Sequence, residues 1–164
     1  MKNLFTAILL FALCAVISGC STEFLVRESA RMIKSGNAEC VVVKNNTIAV
    51  VEKGRGVSPL LNIYRSKPEC MNGGIVVDKV IGRAAAFIII SGKAAAAHGE
   101  LVSEDAIELL KKHNIPVTSS KTVPRILNRR MDDICPLEKS VQGINDPVQA
   151  MDALQKCIEK MTRS

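Results

Sequence analysis

Two kinds of hydrophobic pattern alternate along most of the chain. Residues 23–34 carry apolar side chains at helical spacing, and the apolar side is formed by Leu25, Val26, Ala30 and Ile33. The runs CVVV and TIAVV that follow are apolar and β-branched, which is typical of strands. Asn45 and Asn46 separate them, and Asn tolerates the positive φ that both central residues of a type I′ turn need. The pattern predicts a helix followed by a β-hairpin.

Three more strands alternate with helices in the middle of the chain. The strands are predicted at GGIVVDK, KAAAAHGELV and IPVTSSKTV, the second by position more than by composition, since Ala is a poor strand former. One helix is predicted to begin at Ser58, an N-cap followed by Pro59. An almost wholly apolar helix follows GGIVVDK, with Asp78 as its candidate N-cap. A third helix is capped by Ser103 and ends before Pro116.

The pattern weakens after Pro124, where RILNRRMDD predicts an irregular crossing and CPLEKSV a short helix. A final helix begins at Asp146, in a capping box with Pro in the first turn. Aromatic residues make up 3% of the chain and Trp is absent, so the core must be built from Val, Ile, Leu and Ala, as in sheets covered by helices. We expect one α/β domain over residues 21–164, with a five-stranded mixed sheet in a three-layer α-β-α arrangement.

The first twenty residues have a different character. Lys2 precedes an apolar run, residues 4–17, that is too short to cross a bilayer as a helix and is typical of a secretory signal. The run ends in ISGC, which resembles the lipobox of bacterial lipoproteins. This resemblance implies that Cys20 becomes the lipidated first residue of a domain held at a membrane of the cell envelope. The alternatives are an uncleaved membrane anchor or a mispredicted start, and without use of the signal the protein is cytoplasmic.

Four cysteines remain after that leader: Cys40, Cys70, Cys135 and Cys157. In an oxidising envelope they allow two disulfides, and the sequence leaves all three connectivities open. In a cytosol they would all be thiols. None has the spacing of a metal knuckle, so no metal site is predicted.

The net charge is +6, which fits a solvated basic surface, a nearby anionic membrane or a small anionic ligand. Nucleic-acid surfaces usually combine basic residues with stacking aromatics, and Tyr64 with four Phe leaves little for that role. We therefore expect no nucleic acid as partner.

Four sequence segments follow one another along the chain: GRGVSPLL, DKVIGRAAAFIII, SEDAIELLKKHNIPV and CPLEKSV. These segments and their order resemble the family called domain of unknown function 1893. The resemblance covers about residues 23–160. Together with the order of elements, it implies a cytidine deaminase-like fold. The family has no assigned activity, so the resemblance implies a fold and not a reaction.

A zinc-dependent deaminase needs a His or Cys ligand with a Glu two residues later at one helix start, and Pro-Cys-x-x-Cys at the next. GRGVSPLL contains no His, Cys or Glu. At the next helix start, Asp78, Lys79 and Gly82 stand where the Pro and the two Cys would be. His98 lies on the following strand and His113 at the far end of a helix. We therefore expect a fold that lacks the zinc site, with no cofactor.

Two helix starts that converge on one point would present free N–H groups and positive dipole ends to an anion. The candidate residues for a nucleotide or phosphate ligand are Arg55, Gly56, Ser58, Asp78, Lys79, Gly82 and Arg83. The alternative is that GRG is only a tight turn and that the basic side chains form a solvated rim. Asp78 itself would oppose an anion.

Two residues are candidates for catalysis. Cys135 precedes Pro136 at a helix start, where the helix dipole favours a thiolate nucleophile, although Asp132 and Asp133 oppose it. Glu100, at the end of a strand, is a possible general base. The alternatives are a buried thiol or half of a disulfide for the cysteine, a surface carboxylate for the glutamate, and an envelope interaction domain without a ligand.

Overall fold

The structure is a computed structural model that describes residues 21–163. It opens with helix α1 over residues 21–34. The strands are β1 (Cys40–Lys44), β2 (Thr47–Glu52), β3 (Ile75–Ile81), β4 (Ala96–Ser103) and β5 (Val117–Val123). The other helices are α2 (Ser58–Ser66), α3 (Pro68–Met71), α4 (Arg83–Ser91), α5 (Glu104–Lys112), α6 (Pro136–Ser140) and α7 (Pro147–Arg163).

The five strands form one mixed sheet in the order β2-β1-β3-β4-β5. Strand β1 is antiparallel to both β2 and β3, whereas β3, β4 and β5 are parallel to one another. Asn45 and Asn46 close the first hairpin with φ angles of 50° and 56°, as its sequence predicts. The mixed five-stranded sheet expected from the sequence is confirmed.

Helices cover both faces of the sheet, which gives the predicted three layers. On one face, Ile33 of α1 packs against Val41 and Val77. On the other, α2, α4, α5 and α7 share a core with the opposite side of the same strands. Residues 84–89 of α4 are all buried, because this helix lies between the sheet and neighbouring helices, and its apolar sequence suits such a place.

Strand β3 is longer than the sequence pattern suggests. Val80 and Ile81 continue it by pairing with Leu101 and Val102 of β4, so α4 begins only at Arg83. The prediction that Asp78 caps this helix is therefore wrong: Asp78 lies inside the strand and the N-cap is Gly82.

The other predicted caps have mixed outcomes. Ser58 is the first residue of α2 rather than its cap, which is Val57. Ser103 does cap α5, since its Oγ accepts a hydrogen bond from the Ala106 N–H at 3.2 Å. Asp146 accepts one from the Gln149 N–H at 2.9 Å, before α7.

The predicted leader and the predicted lipidation residue, Cys20, lie outside the described residues. Across residues 21–163, no helix is both long enough and apolar enough to cross a membrane. The cysteines at 40, 70, 135 and 157 are all thiols in this structure.

Candidate functional site

A cavity of about 650 Å³ lies at the edge of the sheet where β3 ends. Because β1 is antiparallel to β3, the beginning of β1 meets the end of β3 at this edge. The starts of α2 and α4 and the segment 126–138 complete the wall. The structure brings six of the candidate residues to this cavity: Arg55, Gly56, Asp78, Lys79, Gly82 and Cys135. Ser58, Arg83 and Glu100 do not line it.

The loop before α2 forms one side of the cavity. Gly54 and Gly56 both have positive φ, which lets the backbone turn sharply into the helix. The N-cap makes no side-chain hydrogen bond, and the first turn of α2 holds no acidic residue. This helix start therefore retains the positive character that attracts anions.

Two arginines line the cavity without an acidic partner among residues 21–163. Arg55 comes from the loop before α2, and Arg129 from the irregular segment after β5. Both are exposed. A guanidinium that is free of internal ion pairs can bind a phosphate or carboxylate through two parallel hydrogen bonds.

Asp78 forms a buried polar point in the cavity wall, with 6% of its surface exposed. Its Oδ1 accepts a hydrogen bond from the Val80 N–H at 2.9 Å, and the Cys40 thiol on the neighbouring strand is a second donor. Burial, together with a smaller effect of the Glu39 charge, raises the pKa of Asp78 to about 7. These two hydrogen bonds and a third from the Lys79 N–H act in the opposite direction. A carboxyl that titrates near neutrality inside a cavity is a candidate functional group.

Lys79 has a partner of its own at the cavity wall. Its Nζ lies 2.8 Å from Glu39 Oε1, and both side chains are partly exposed. The ion pair reduces the electrostatic attraction that Lys79 alone would offer to an anion, so the positive charge of the cavity rests mainly on the two arginines.

The start of α4 is already occupied by a side chain of the protein. Glu138, from α6, accepts hydrogen bonds from the backbone N–H groups of Arg83 at 2.8 Å and Ala84 at 2.9 Å. Burial raises the pKa of Glu138, and the two backbone donors limit the rise. Of the two predicted anion sites, only the start of α2 is open to a ligand.

Arg83 turns away from the cavity. Its guanidinium donates to the backbone oxygens of Val141 and Ile144 and to Asn145 Oδ1, and it lies 5.3 Å from the centre of the Phe87 ring. These contacts fasten α4 to the loop between α6 and α7. The assignment of Arg83 to a ligand is therefore corrected to a structural role.

Cys135 lies at the cavity and is the N-cap of α6, as its sequence predicts. The helix has only five residues, so its dipole is short. Neither histidine lines the cavity, since His98 is on β4 and His113 follows α5. The structure thus brings Cys135 to the site without an imidazole base beside it.

Glu100 lies on the opposite face of the sheet. Its Oε2 is 3.3 Å from Lys34 Nζ of α1, and its Oε1 is 3.8 Å from His98 Nε2. His98 in turn lies 2.8 Å from the hydroxyl of Thr118. Glu100 therefore cannot act as a base for Cys135 in this arrangement, because the sheet separates the two.

Arg129 and Glu138 are two of the cavity residues that the sequence pattern does not single out. Arg129 lies in RILNRRMDD, where the hydrophobic pattern predicts no regular helix or strand and therefore does not predict where a side chain lies. Glu138 stands in the short helix CPLEKSV, but the helix that it caps begins 55 residues earlier. No local signal connects them.

Within residues 21–163, no group of three or more His, Cys, Asp and Glu side chains is placed to hold a metal ion. The expected lack of a zinc site stays a prediction.

Comparison with known proteins identifies the family. Residues 28–158 match the family described as Domain of unknown function (DUF1893), and the chain belongs to that family. The crystal structure of a DUF1893 family protein (TM1506) from Thermotoga maritima is similar, with a TM-score of 0.70 and 21% sequence identity. The match covers 83% of this chain and 89% of that one, which shows a shared fold.

RibD from Acinetobacter baumannii is a more distant match, with a TM-score of 0.43 and 12% identity over 86% of this chain and 40% of that chain. A similarity this weak supports no conclusion about this protein, so the resemblance to deaminases stays a prediction. No curated protein matches the chain.

Proposed function

We propose that the domain binds a small anionic molecule, of nucleotide or phosphate type, in the cavity beside the start of α2. The observation that carries this proposal is the pair of cavity arginines, Arg55 and Arg129, which have no acidic partner among the described residues. Both guanidinium groups line the same cavity, and each can bind an anionic group through two parallel hydrogen bonds.

The backbone around Arg55 supports the same ligand chemistry. At the start of α2 the Leu60 N–H has no acceptor among the described residues, whereas Ser58 N–H donates to the Arg55 carbonyl and Pro59 has no N–H. Gly56 has a φ of 58°, a conformation that side chains rarely allow. A cavity of about 650 Å³ also exceeds what inorganic phosphate alone needs and lies within the range of small-molecule sites. A phosphate carried on a larger organic group fits both features.

The proposed anion site differs from the anion site expected from the sequence. Glu138 fills the start of α4, and Arg83 is held elsewhere, so neither contributes to anion binding. The proposed anion contacts are the α2 start with Arg55 on one element and Arg129 on another.

Binding is tested with inorganic phosphate, adenosine 5′-monophosphate and adenosine, measured by calorimetry and by NMR shifts of the Gly56 and Leu60 amides. We expect the monophosphate to bind and adenosine to bind at least tenfold more weakly, since hydrogen bonds to charged groups contribute about 1.5–3 kcal/mol. Arg55→Ala and Arg129→Ala should each weaken phosphate binding roughly tenfold.

The chain offers two matched controls for these variants. Lys53 is exposed, lies two residues before Arg55 and does not line the cavity. Arg130 is adjacent to Arg129 but points to Asp132, at 3.3 Å. Lys53→Ala and Arg130→Ala should leave phosphate affinity within about twofold. Equal losses in all four variants would mean a diffuse basic surface and would refute a defined site.

We also propose that the protein acts at a membrane of the cell envelope, anchored by lipid on Cys20. The support is the sequence ISGC before the domain. In a bacterial host, labelled palmitate should enter the full chain and not the Cys20→Ala variant, which should leave the membrane fraction. Equal membrane retention of the two proteins would contradict the lipid anchor.

A further inference from the structure

The Asp78 carboxyl is the most deeply buried charged group of the chain between residues 21 and 163 that faces a cavity. It is 6% exposed and forms no ion pair with any side chain in that range. The neighbouring Lys79 reaches Glu39 instead. A buried carboxylate without a cation is costly, so such groups usually have a partner or a function.

The surroundings leave one side of the Asp78 carboxyl open. On β1, Cys40 lies opposite and its thiol is a donor, while on β4 the paired residue is Gly99, which has no side chain. The Val80 N–H fills another position on Oδ1. The Lys79 N–H is a third donor. A carboxylate can accept about four hydrogen bonds, so roughly one position remains for a group in the cavity.

We propose that the ligand of this cavity is bipolar: a cationic group with N–H donors, an ammonium or amidinium, binds Asp78, while an anionic group binds Arg55 and Arg129. This inference rests on the proposed function and specifies the second end of the ligand. It follows from one cavity that holds two guanidinium groups without an acidic partner and one buried carboxyl without a basic partner.

The proposed contact makes binding of a cation depend on pH. The carboxyl must be ionised to pair with the cation, and its pKa of about 7 means that roughly a tenth is ionised at pH 6 and nine-tenths at pH 8. Affinity for a permanently cationic ligand should therefore rise roughly tenfold between these values.

Among the other groups around Asp78, the charge of Glu39 acts directly on the Asp78 pKa and raises it. Glu39 is paired with Lys79, and the carboxylate of Glu138 is held by α4. Burial and the adjacent Asp78 raise the pKa of the Cys40 thiol well above its ordinary value, so it stays protonated. The other charged groups that line the cavity are Arg55 and Arg129.

The test uses benzamidine as the cation and inorganic phosphate as the anion, each titrated into the purified protein. The reporter for benzamidine is the Val80 amide, because it donates to Asp78. We expect a saturable shift at pH 8, about tenfold weaker binding at pH 6, and at least tenfold weaker binding in Asp78→Asn. Glu52→Gln removes a carboxylate that is paired with Lys67 and does not line the cavity, and it should change affinity less than threefold.

The benzamidine and phosphate titrations test this inference and the proposed function separately. Phosphate binding that depends on Arg55 and Arg129, without a saturable benzamidine shift, would overturn the bipolar ligand and leave the anion site standing. Benzamidine binding without any phosphate binding would overturn the proposed function. Equal benzamidine affinity in Asp78→Asn would also overturn the assignment of Asp78.

A measurement on the unaltered protein covers the case in which Asp78→Asn does not fold. The carbon-13 shift of the Asp78 carboxyl reports its titration directly. Saturating benzamidine should lower the midpoint of that titration by one pH unit or more, since a bound cation favours the ionised form. An unchanged midpoint would overturn the inference.

Discussion

The Glu138 carboxylate lies so close to Gly82 that a Cβ atom at residue 82 would come within 2.4 Å of Glu138 Oε1. The same carboxylate accepts hydrogen bonds from the first two N–H groups of α4. Gly82 therefore allows a side chain from α6 to cap a helix that is distant in sequence. This contact closes one wall of the cavity and leaves α2 as its open helix start.

The Gly82→Ala variant should be less stable than the natural protein by about 1–3 kcal/mol, the usual cost of forcing extra volume into a packed site. Gly82 has a φ of −96°, which alanine adopts freely, so the cost arises from the contact with Glu138 and not from the backbone. Urea unfolding followed by circular dichroism measures the change.

A double-mutant cycle tests the cause of that cost. Glu138→Ala alone should also destabilise, by about 1–3 kcal/mol, because two partly buried N–H groups lose their acceptor. In the double variant the added methyl group no longer meets a carboxylate, so the combined loss should be smaller than the sum by at least about 0.5 kcal/mol. Additive losses would show that Gly82 and Glu138 do not act on each other.

Asp78 should make the protein less stable as pH rises. Its pKa is about 7 in the folded state against an ordinary value of 3.8, so the folded state binds this proton more tightly than the unfolded state does. The resulting stabilisation is complete below about pH 4 and is lost as pH rises through about 7. A shift of roughly three pH units corresponds to at most about 4 kcal/mol.

Asp78→Asn isolates this effect. The difference in unfolding free energy between the natural protein and the variant should move toward the variant by more than 1 kcal/mol between pH 5 and pH 8. Other titrating groups, such as Glu138, are present in both proteins and cancel in the difference. A difference that is constant with pH would show that Asp78 has an ordinary pKa.

The sequence predicts those parts of the fold that depend on neighbouring residues. The turn at Asn45 and Asn46 and the cap at Ser103 are local, because each requires only residues within three or four positions. The order of strands and helices then leaves few topologies for a mixed sheet, and the predicted three-layer arrangement is observed.

The start of α4 was not predictable in this way. Asp78 is a good N-cap by residue type, but Val80 and Ile81 gain more by extending the sheet beside β4, so the helix starts at Arg83. Its actual cap, Glu138, comes from a segment far along the chain. Tertiary contacts of this kind leave no periodic pattern in the sequence.

The sequence predicts where the candidate site lies better than it predicts which residues form it. Arg55 and Gly56 lie at the cavity because a helix start follows a strand there, which local pattern indicates. Arg129 lies in an irregular segment, and no rule of spacing assigns its side chain. Arg83 and Glu100 were candidates for the site but do not line the cavity, for the same reason. The groups that they contact, the Ile144 carbonyl and Lys34, come from other parts of the chain.

Cys135 should be protected from alkylation when the cavity is occupied. Its place in the cavity wall means that a bound molecule limits access of iodoacetamide to its thiol. Adenosine 5′-monophosphate at saturation should slow modification of Cys135 at least fivefold, about 1 kcal/mol of added protection. Cys70, which lies on α3 outside the cavity, should react at the same rate with and without the nucleotide. Peptide mass spectrometry after timed quenching gives both rates from one sample.

The same rates test whether Cys135 is an activated nucleophile. A thiol nucleophile is commonly activated by a general base beside it, and neither histidine lines the cavity. We therefore expect Cys135 to react within tenfold of Cys157, which also belongs to the C-terminal helices. Cys40 should hardly react, because it is fully buried and its pKa is raised well above the ordinary value. A Cys135 rate a hundredfold above the Cys157 rate would instead support catalysis by the Cys135 thiol. If the nucleotide leaves the Cys135 rate unchanged, the ligand binds elsewhere.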